Sequence, residues 1–251
     1  MLNNKVLVHY CEYPEQKILF VQATPNSQEE CGDLSCDIEW KIRKPINYEI
    51  DLLICSENSR GLPSVYNDVL EKNAGLYDII VFAHDDISLT DSSIYEKLVQ
   101  AKKKGLDLFG VAGGKGWIPP KDPERHWGWN LASRDCGLAG FIIHKDVSPS
   151  GETYTFATSF WPTPARVLTI DGCFMAFANN GLNLRFDEQF DFNFYDIDIC
   201  FQAYKKGMKV GVEPIVVTHG SIGKGLLKPE FLEAQKKFVG KWFICRQMVQ
   251  G

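Results

Sequence analysis

Two adjacent aspartates follow an unbroken apolar run, Ile79–Ala83. His84, Asp85 and Asp86 come directly after that run. Neighbouring carboxylates repel each other, and a divalent cation with a preference for oxygen ligands, Mg²⁺ or Mn²⁺, would offset the repulsion. Such an ion could also bridge a diphosphate and neutralise its charge as it leaves. The alternative interpretation is a solvated loop after a strand.

A second pair of carboxylates lies at the start of a predicted helix. Asp196 and Asp198 fall in its first turn, where the helix dipole favours their ionised form. Side chains two positions apart on a helix do not share a face, so one can point into a cleft while the other has another role. The side chain in the cleft would suit a general base. Helix capping by both residues is the alternative.

Three further polar residues could belong to the same site. His219 follows the run Ile215–Thr218 and could complete a metal site, or be a structural histidine. The glycine-rich stretch behind it carries Lys224, which could fold over phosphates. Asp171 interrupts an apolar segment, where a carboxylate needs a partner, either a sugar hydroxyl or a backbone amide.

The apolar runs predict the elements that position these residues. Strands are expected at 50–55, 79–83 and 108–112, and helices through Val65–Leu70 and over 92–104. Strand and helix in alternation indicate a doubly wound α/β sheet. Ligands bind such sheets outside the carboxyl ends of the strands, which is where the adjacent aspartates lie.

The rest of the chain contains fewer regular patterns. Residues 112–166 are rich in Gly, Pro and Trp and are interpreted as an excursion that forms one wall of a cleft. Additional strands are predicted at 5–10, 18–21, 141–144 and 210–217, with Pro214 interrupting the last. Regular structure is also predicted at 167–178. Additional helices are predicted at 196–206 and 230–248.

Composition excludes several classes of protein. The 251 residues include 27 basic and 32 acidic side chains, a net charge of −5, which does not favour nucleic-acid binding. No apolar stretch is long enough to span a bilayer, and no secretion signal is evident, so a cytoplasmic location is expected. The eight cysteines are expected to be reduced.

Five segments, taken in order, resemble the family 2-like glycosyltransferases. They are Glu57–Asn67, Ile79–Ile87, Leu184–Phe190, Tyr195–Cys200 and Val216–His219. The resemblance covers residues 50 to 225 and depends on the order of the segments. It implies an α/β fold of the GT-A type, a doubly wound, mixed, mainly parallel sheet with helices on both faces. It also implies inverting transfer from a nucleoside-diphosphate sugar, with a UDP-sugar expected.

The resemblance also implies a role for individual residues. Asp196 would be the catalytic base, and Asp86 with His219 would contact Mn²⁺ or Mg²⁺. Residues expected to bind the donor are Asp85, Asn58, Asn67 and Lys224. From their residue types and positions, Asp171, Asp198, Trp127 and Trp129 are expected to bind a glycan, lipid-linked or other hydroxyl acceptor. Ordinary packing is the alternative role of the two tryptophans.

The sequence departs from the family pattern at two of these segments. His84-Asp85-Asp86 replaces the usual D-x-D, and Tyr195 stands where the family usually has Glu. An inactive module of the same fold, binding sugar nucleotides or carbohydrate, is therefore the alternative function. A nucleotidyltransferase is disfavoured, because no glycine- and lysine-rich phosphate loop occurs early in the chain.

The C-terminal segment is predicted to be an amphipathic helix. The expected division is a GT-A-like domain over 1–225 and this helix over 226–251. Its apolar face would carry Phe231, Ala234, Phe238, Trp242, Cys245 and Val249. With lysines on its flanks, residues 230–249 could lie on an anionic membrane at the inner face, or pack against the domain.

Overall fold

The computed structural model describes residues 16–27, 49–118, 136–148, 150–160, 162–220 and 229–243. The strands are β1 (Lys17–Ala23), β2 (Glu49–Cys55), β3 (Ile79–Ala83), β4 (Ile87–Leu89), β5 (Leu108–Gly110), β6 (Ala112–Gly114), β7 (Leu138–Val147), β8 (Thr153–Phe160), β9 (Ala165–Arg166), β10 (Thr169–Ile170), β11 (Phe174–Ala178), β12 (Val210–Val212) and β13 (Val217–His219). The helices are α1 (Leu62–Asn73), α2 (Ile94–Lys103), α3 (Tyr195–Lys205) and α4 (Pro229–Trp242), with a 3₁₀ helix at Asn179–Asn183.

The larger sheet has seven strands in the order β2-β1-β3-β11-β5-β12-β9. Strands β2, β1 and β3 are parallel, β11 runs antiparallel to both of its neighbours, and β12 is parallel to β5. Along β3, Ile80 and Phe82 pack into the core that contains residues of α1, α3 and α4. Ile79 and Val81 pack into the core that contains α2. Helices on both faces of a mixed α/β sheet confirm the predicted fold class.

A smaller sheet has the order β10-β6-β7-β13-β4, with β8 paired to β7. The prediction of one strand at 108–112 and one at 210–217 is wrong, because the chain passes from one sheet to the other within each of these segments. Strands β5 and β12 belong to the larger sheet, and β6 and β13 to the smaller. Pro214 interrupts the second run and has no N–H to donate to a ladder. At Gly113, a Cβ would lie 2.1 Å from the Thr169 carbonyl oxygen, so the close pairing of β6 with β10 requires glycine.

The ends of α2 and α3 follow the sequence prediction. Gly105 and Gly207 have φ values of +76° and +71°, the left-handed conformation that glycine adopts after a helix. The strand predicted at 5–10 lies outside the described residues. The predicted segment 167–178 contains β10 and β11, with a turn at 171–173 between them.

Helix α4 packs on the domain through its apolar face. Phe231 and Phe238 are buried in the same core as α1 and α3, so the packing alternative holds for the described part of this helix. Cys245 and Val249 lie outside the described residues. Across the described ranges, no helix is both long and apolar enough to span a bilayer.

The buried carboxylate of Asp198, in α3, binds two side chains of α4. Asp198 is fully buried and accepts hydrogen bonds from Lys241 Nζ and Trp242 Nε1, each at 2.7 Å, and from Gln202 Nε2 at 2.9 Å. The prediction that Asp198 binds an acceptor is therefore wrong, since its carboxylate faces α4. Position 198 lies two residues beyond Asp196 and points away from the side that Asp196 occupies.

Replacing Lys241 by methionine should destabilise the fold by about 3 kcal/mol, because it leaves the buried Asp198 carboxylate without its counter-charge. Urea unfolding measures the change in free energy. Lys237→Met is the matched control on the same helix, because its ion pair with Glu233 is exposed and is expected to contribute less than about 1 kcal/mol. Equal losses in the two variants would contradict this account of α4.

Candidate active site

The smaller sheet brings His219 to the acidic turn. Strand β13 pairs antiparallel with β4, so that His219 is opposite Ile87. The Gly220 N–H donates to the Asp86 carbonyl oxygen at 2.8 Å and extends this pairing. As a result, His219 Nε2 lies 3.2 Å from Asp86 Oδ1. The two residues predicted to contact a metal are therefore neighbours.

His84, Asp86 and His219 form a set of potential metal ligands. Each offers one ligand atom, and these atoms lie within 4.8 Å of one another. Two imidazoles and one carboxylate suit a divalent transition metal such as Mn²⁺. His84 was missed as a ligand, although it keeps the D-x-D spacing to Asp86. That spacing was the available signal, and only the residue type differs from the family pattern.

The pKa values of the two histidines in this set shift in opposite directions, although nearby carboxylates raise both. Burial alone would lower the pKa of His219, but its bond to Asp86 and the charge of that carboxylate outweigh burial and raise the pKa. Burial is the dominant effect on His84 and lowers its pKa. His84 is therefore neutral near pH 7, which is the form that binds metal ions.

Tyr195 orients the His84 ring. The Tyr195 hydroxyl donates to the Gly172 carbonyl oxygen at 3.1 Å and lies 2.9 Å from His84 Nε2. When the one hydroxyl proton is used for Gly172, His84 Nε2 is the donor in the second bond. The proton on Nε2 leaves the lone pair on His84 Nδ1 for a cation. The two departures from the family pattern, at positions 84 and 195, are thus in direct contact.

Replacing Tyr195 by phenylalanine should weaken Mn²⁺ binding by about 10- to 100-fold, because the tautomer and orientation of His84 are no longer fixed. Electron paramagnetic resonance of free Mn²⁺ measures the dissociation constant. Tyr66→Phe is the matched control. It removes another buried hydroxyl, one without a hydrogen-bond partner among the described residues, and its ring lies 6.2 Å from that of Tyr195. Unchanged Mn²⁺ affinity in Tyr195→Phe would contradict the orienting role.

Asp196 lies at the first turn of α3, against the turn between β10 and β11. Its Oδ2 accepts the Gly172 N–H at 3.0 Å and its Oδ1 accepts the Ile197 N–H at 2.9 Å. Gly172 permits this approach, since a Cβ there would lie 3.1 Å from the Asp196 Cβ and 2.5 Å from the Tyr195 hydroxyl oxygen. Burial, and then the negative charge of Asp171, raise the pKa of Asp196 to about 7, although the two backbone N–H bonds oppose the rise. A carboxylate of this basicity is suited to accept a proton near neutral pH.

Asp171 belongs to the same turn. Its Oδ1 accepts the Cys173 N–H at 2.9 Å, so a backbone amide supplies the partner that the sequence required. Its charge acts on Asp196, His84 and His219. The turn therefore supplies negative charge to both the ligand set and Asp196.

Other predicted site residues have different surroundings. The Asn67 amide bonds to Phe186 N–H at 2.8 Å, to the Phe186 carbonyl at 3.0 Å and to Glu188 at 2.9 Å. This corrects the prediction that Asn67 binds the donor, because the amide holds the turn that follows the 3₁₀ helix. The Asn58 side chain bonds to the backbone of Arg60, next to the end of β2. Asp85 lies between two members of the ligand set, and the roles predicted for it and for Asn58 stay predictions.

Three predicted site residues, Lys224, Trp127 and Trp129, lie outside the described residues.

Comparison with known families decides the affiliation of the chain. Residues 20–239, most of its length, match the glycosyltransferase-like family. The chain belongs to this family. This match confirms the predicted resemblance to family 2-like glycosyltransferases. No curated protein matches the sequence of this family member.

Several solved structures are similar to the chain at low sequence identity. GalNAc-T7, solved with UDP, GalNAc and Mn²⁺, has a TM-score of 0.51 and 9% identity over 91% of this chain and 49% of its own. The mannosyltransferase PcManGT from Pyrobaculum calidifontis, solved with GDP-Man and Mn²⁺, has a TM-score of 0.47 and 11% identity over 85% of this chain and 59% of its own. S. aureus TarS has a TM-score of 0.44 and 12% identity over 83% of this chain and 37% of its own. The chain therefore spans less than two thirds of the length of each, and the likeness to GalNAc-T7 concerns the fold.

Proposed function

We propose that the chain is an inverting glycosyltransferase, which moves a sugar from a nucleoside-diphosphate sugar to a hydroxyl acceptor with the help of a divalent metal ion. The observation that carries this proposal is that one short segment connects the metal-ligand set to the candidate base. The His84 ring contacts Tyr195, and Asp196, the next residue, provides a carboxylate with a raised pKa. Family membership supports the same class of reaction.

The proposed reaction assigns one task to Asp196. Its carboxylate accepts the proton of the acceptor hydroxyl as that oxygen attacks the anomeric carbon of the donor. The bond from the anomeric carbon to the diphosphate oxygen breaks on the opposite side, and the nucleoside diphosphate leaves. The charge of Asp171 increases the basicity of Asp196. The proton therefore moves to the Asp196 carboxylate, whose pKa is already raised in the folded chain.

His84, Asp86 and His219 would hold the metal ion. When bound, the ion supplies positive charge that stabilises the departing diphosphate. Asp85, Asn58 and Lys224 are proposed to contact the donor, and UDP is the first nucleotide to test because GalNAc-T7 was solved with it. Asp171, Trp127 and Trp129 are proposed for the acceptor side. A cytoplasmic location stays a prediction.

The ligand set predicts the metal preference. Because two of the three ligands are imidazoles, Mn²⁺ should bind more tightly than Mg²⁺, which favours oxygen ligands. Thermal unfolding with UDP, GDP and their sugars should show stabilisation by nucleotide and Mn²⁺ together. At a ligand concentration 100 times the dissociation constant the gain is about 2.7 kcal/mol. Uridine without phosphate is the control. A chain that no nucleotide stabilises with either metal would contradict the proposed donor site.

An inactive binding module is the alternative function. The observation in its favour is that imidazole and phenol groups, at 84 and 195, stand at positions where the family usually has carboxylates. Such a module would bind nucleotide in the same cleft but would release no nucleoside diphosphate from a nucleotide sugar. Turnover therefore separates the two functions where binding does not.

A further inference from the structure

A row of aromatic rings leads from the metal-ligand set onto the hairpin of β7 and β8. His144 of β7 is the parallel partner of His219, and their ring centroids are 5.8 Å apart. Phe156 of β8 stacks on His144 with centroids 5.0 Å apart. Tyr154 follows at 6.1 Å from Phe156, with the two rings inclined by only 25°. We call His144, Phe156 and Tyr154 the aromatic row.

The strand register turns this row towards the active site. His144 is opposite Phe156 and Asp146 is opposite Tyr154, so these four side chains share one face of the hairpin. Side chains alternate along a strand, which places Ile142 on that face as well. Ile142 is buried in the core with β4 and β13. The face is therefore continuous with the interior at one end, while Phe156 and Tyr154 are 40% and 46% exposed at the other.

The chemistry of this face suits a neutral sugar. Strand β8, TYTFATSF, carries no charged side chain, and Lys145 of β7 lies on the opposite face with Thr155. Hydrogen-bonding groups border the rings, since the Tyr154 hydroxyl donates to Asp146 Oδ2 at 3.2 Å and Thr158 shares the face. Sugar rings have apolar C–H faces and a rim of hydroxyls, which match exposed aromatic rings beside polar groups. The Asp146 carboxylate would disfavour a phosphate or other anion there.

We propose that the aromatic row binds successive sugar rings of a neutral oligosaccharide acceptor, the reacting end of which lies at His219 and Asp196. The proposal rests on the proposed function, and it narrows the acceptor from any hydroxyl compound to a glycan longer than one sugar. The continuity of the row with the metal-ligand set favours this occupant. A second copy of the chain, pairing along the outer edge of β8, is the competing occupant.

Binding of defined oligosaccharides to the full chain tests the proposal. The probes are malto-, cello-, chito- and xylo-oligosaccharides from the monosaccharide to the pentasaccharide, followed by saturation-transfer NMR. At least one series should bind, more tightly as it lengthens. The double variant Tyr154→Ala, Phe156→Ala should weaken that binding by about tenfold or more, while binding of UDP with Mn²⁺ is unchanged. Tyr204→Ala, which removes a tyrosine that is 69% exposed on α3, is the control and should change neither.

The outcomes separate this inference from the proposed function. Equal oligosaccharide binding by the double variant and the unaltered chain would overturn the inference. So would nucleotide binding without binding of any oligosaccharide, and in that case the proposed function would stand. A dimer that the double variant abolishes, without any effect on sugar binding, would assign β8 to self-association instead. Oligosaccharide binding through the aromatic row with no nucleotide binding would support the carbohydrate surface and refute the donor site.

Discussion

Replacing Asp196 by asparagine should lower kcat for sugar transfer by about 10²- to 10⁴-fold and leave donor binding nearly unchanged. The amide cannot accept the proton of the acceptor hydroxyl, although it occupies the same volume. It also loses one of the two backbone hydrogen bonds, because an NH₂ group would face the N–H of Gly172 or Ile197. Steady-state kinetics and the dissociation constant of the donor, measured on the same preparation, separate these effects.

A matched control exists elsewhere in the fold. Asp107 is also a buried carboxylate that accepts two backbone N–H bonds, from Asn180 at 3.1 Å and Lys209 at 2.7 Å. Asp107→Asn should lower the melting temperature to a similar extent and leave kcat at the level of the unaltered chain. A fall in kcat of the same size in both variants would mean that Asp196 acts through stability alone, and would remove it as the base.

The pH profile supplies a second test of Asp196. Because the base must be ionised and its pKa is raised to about 7, kcat/KM should fall as the pH decreases through about 7. Asp171→Asn removes the like charge that contributes to this rise. The pKa of Asp196 should then be lower and the acidic limb should move to lower pH, with Mn²⁺ saturating throughout. A limb at the same pH in both proteins would contradict this coupling of Asp171 and Asp196.

Replacing Asp86 by asparagine should weaken Mn²⁺ binding by more than about 100-fold, and with it the binding of nucleotide that depends on Mn²⁺. The variant loses the negative charge of the ligand set, so that only two neutral imidazoles and an amide face the cation. Changes to residues outside the first coordination shell already cost about 10- to 100-fold in affinity, and loss of a direct ligand should exceed that. Electron paramagnetic resonance gives the Mn²⁺ affinity.

Asp85→Asn is the control for Asp86, since it removes the same charge one position away. Asp85 is not a member of the ligand set, so its variant should retain Mn²⁺ with a smaller loss of affinity. The reverse order of effects would identify Asp85 as the direct ligand. The two variants together therefore show which of the adjacent aspartates binds the metal directly. The question arises because the sequence has His84-Asp85-Asp86 in place of the family pattern.

Local patterns predicted the elements better than they predicted the sheets. The apolar run Ile79–Ala83 and the glycine after each of two helices define strands and caps through contacts within a few residues. The runs 108–112 and 210–217 are also largely apolar, although Glu213 and Pro214 interrupt the second, and each divides between two sheets. Which sheet a segment joins depends on distant partners, such as Ile170 against Gly113, and hydrophobicity does not encode that choice.

The active site was predictable where residue type and spacing carried the signal. Asp86 and His219 were expected together and lie together. From the sequence, His84 was interpreted only as the loss of a carboxylate. Its hydrogen-bond partner Tyr195 is 111 positions away, and neither segment alone indicates that the two residues are in contact. Asp198 was misplaced for the same reason, since Lys241, which neutralises it, belongs to the last helix. Strand β8 lacks the long aliphatic residues of a core strand and was not predicted.

Release of nucleoside diphosphate from a nucleotide sugar, measured with Mn²⁺ and the acceptor that binds best, tests the central claim most directly. The unaltered chain should release it, and chelation of the metal should stop the release. Asp196→Asn should bind the same donor and release nucleoside diphosphate at least about 100-fold more slowly. A chain that binds the donor and releases nothing, or an Asp196→Asn variant that turns over at the unaltered rate, would contradict the proposed transferase.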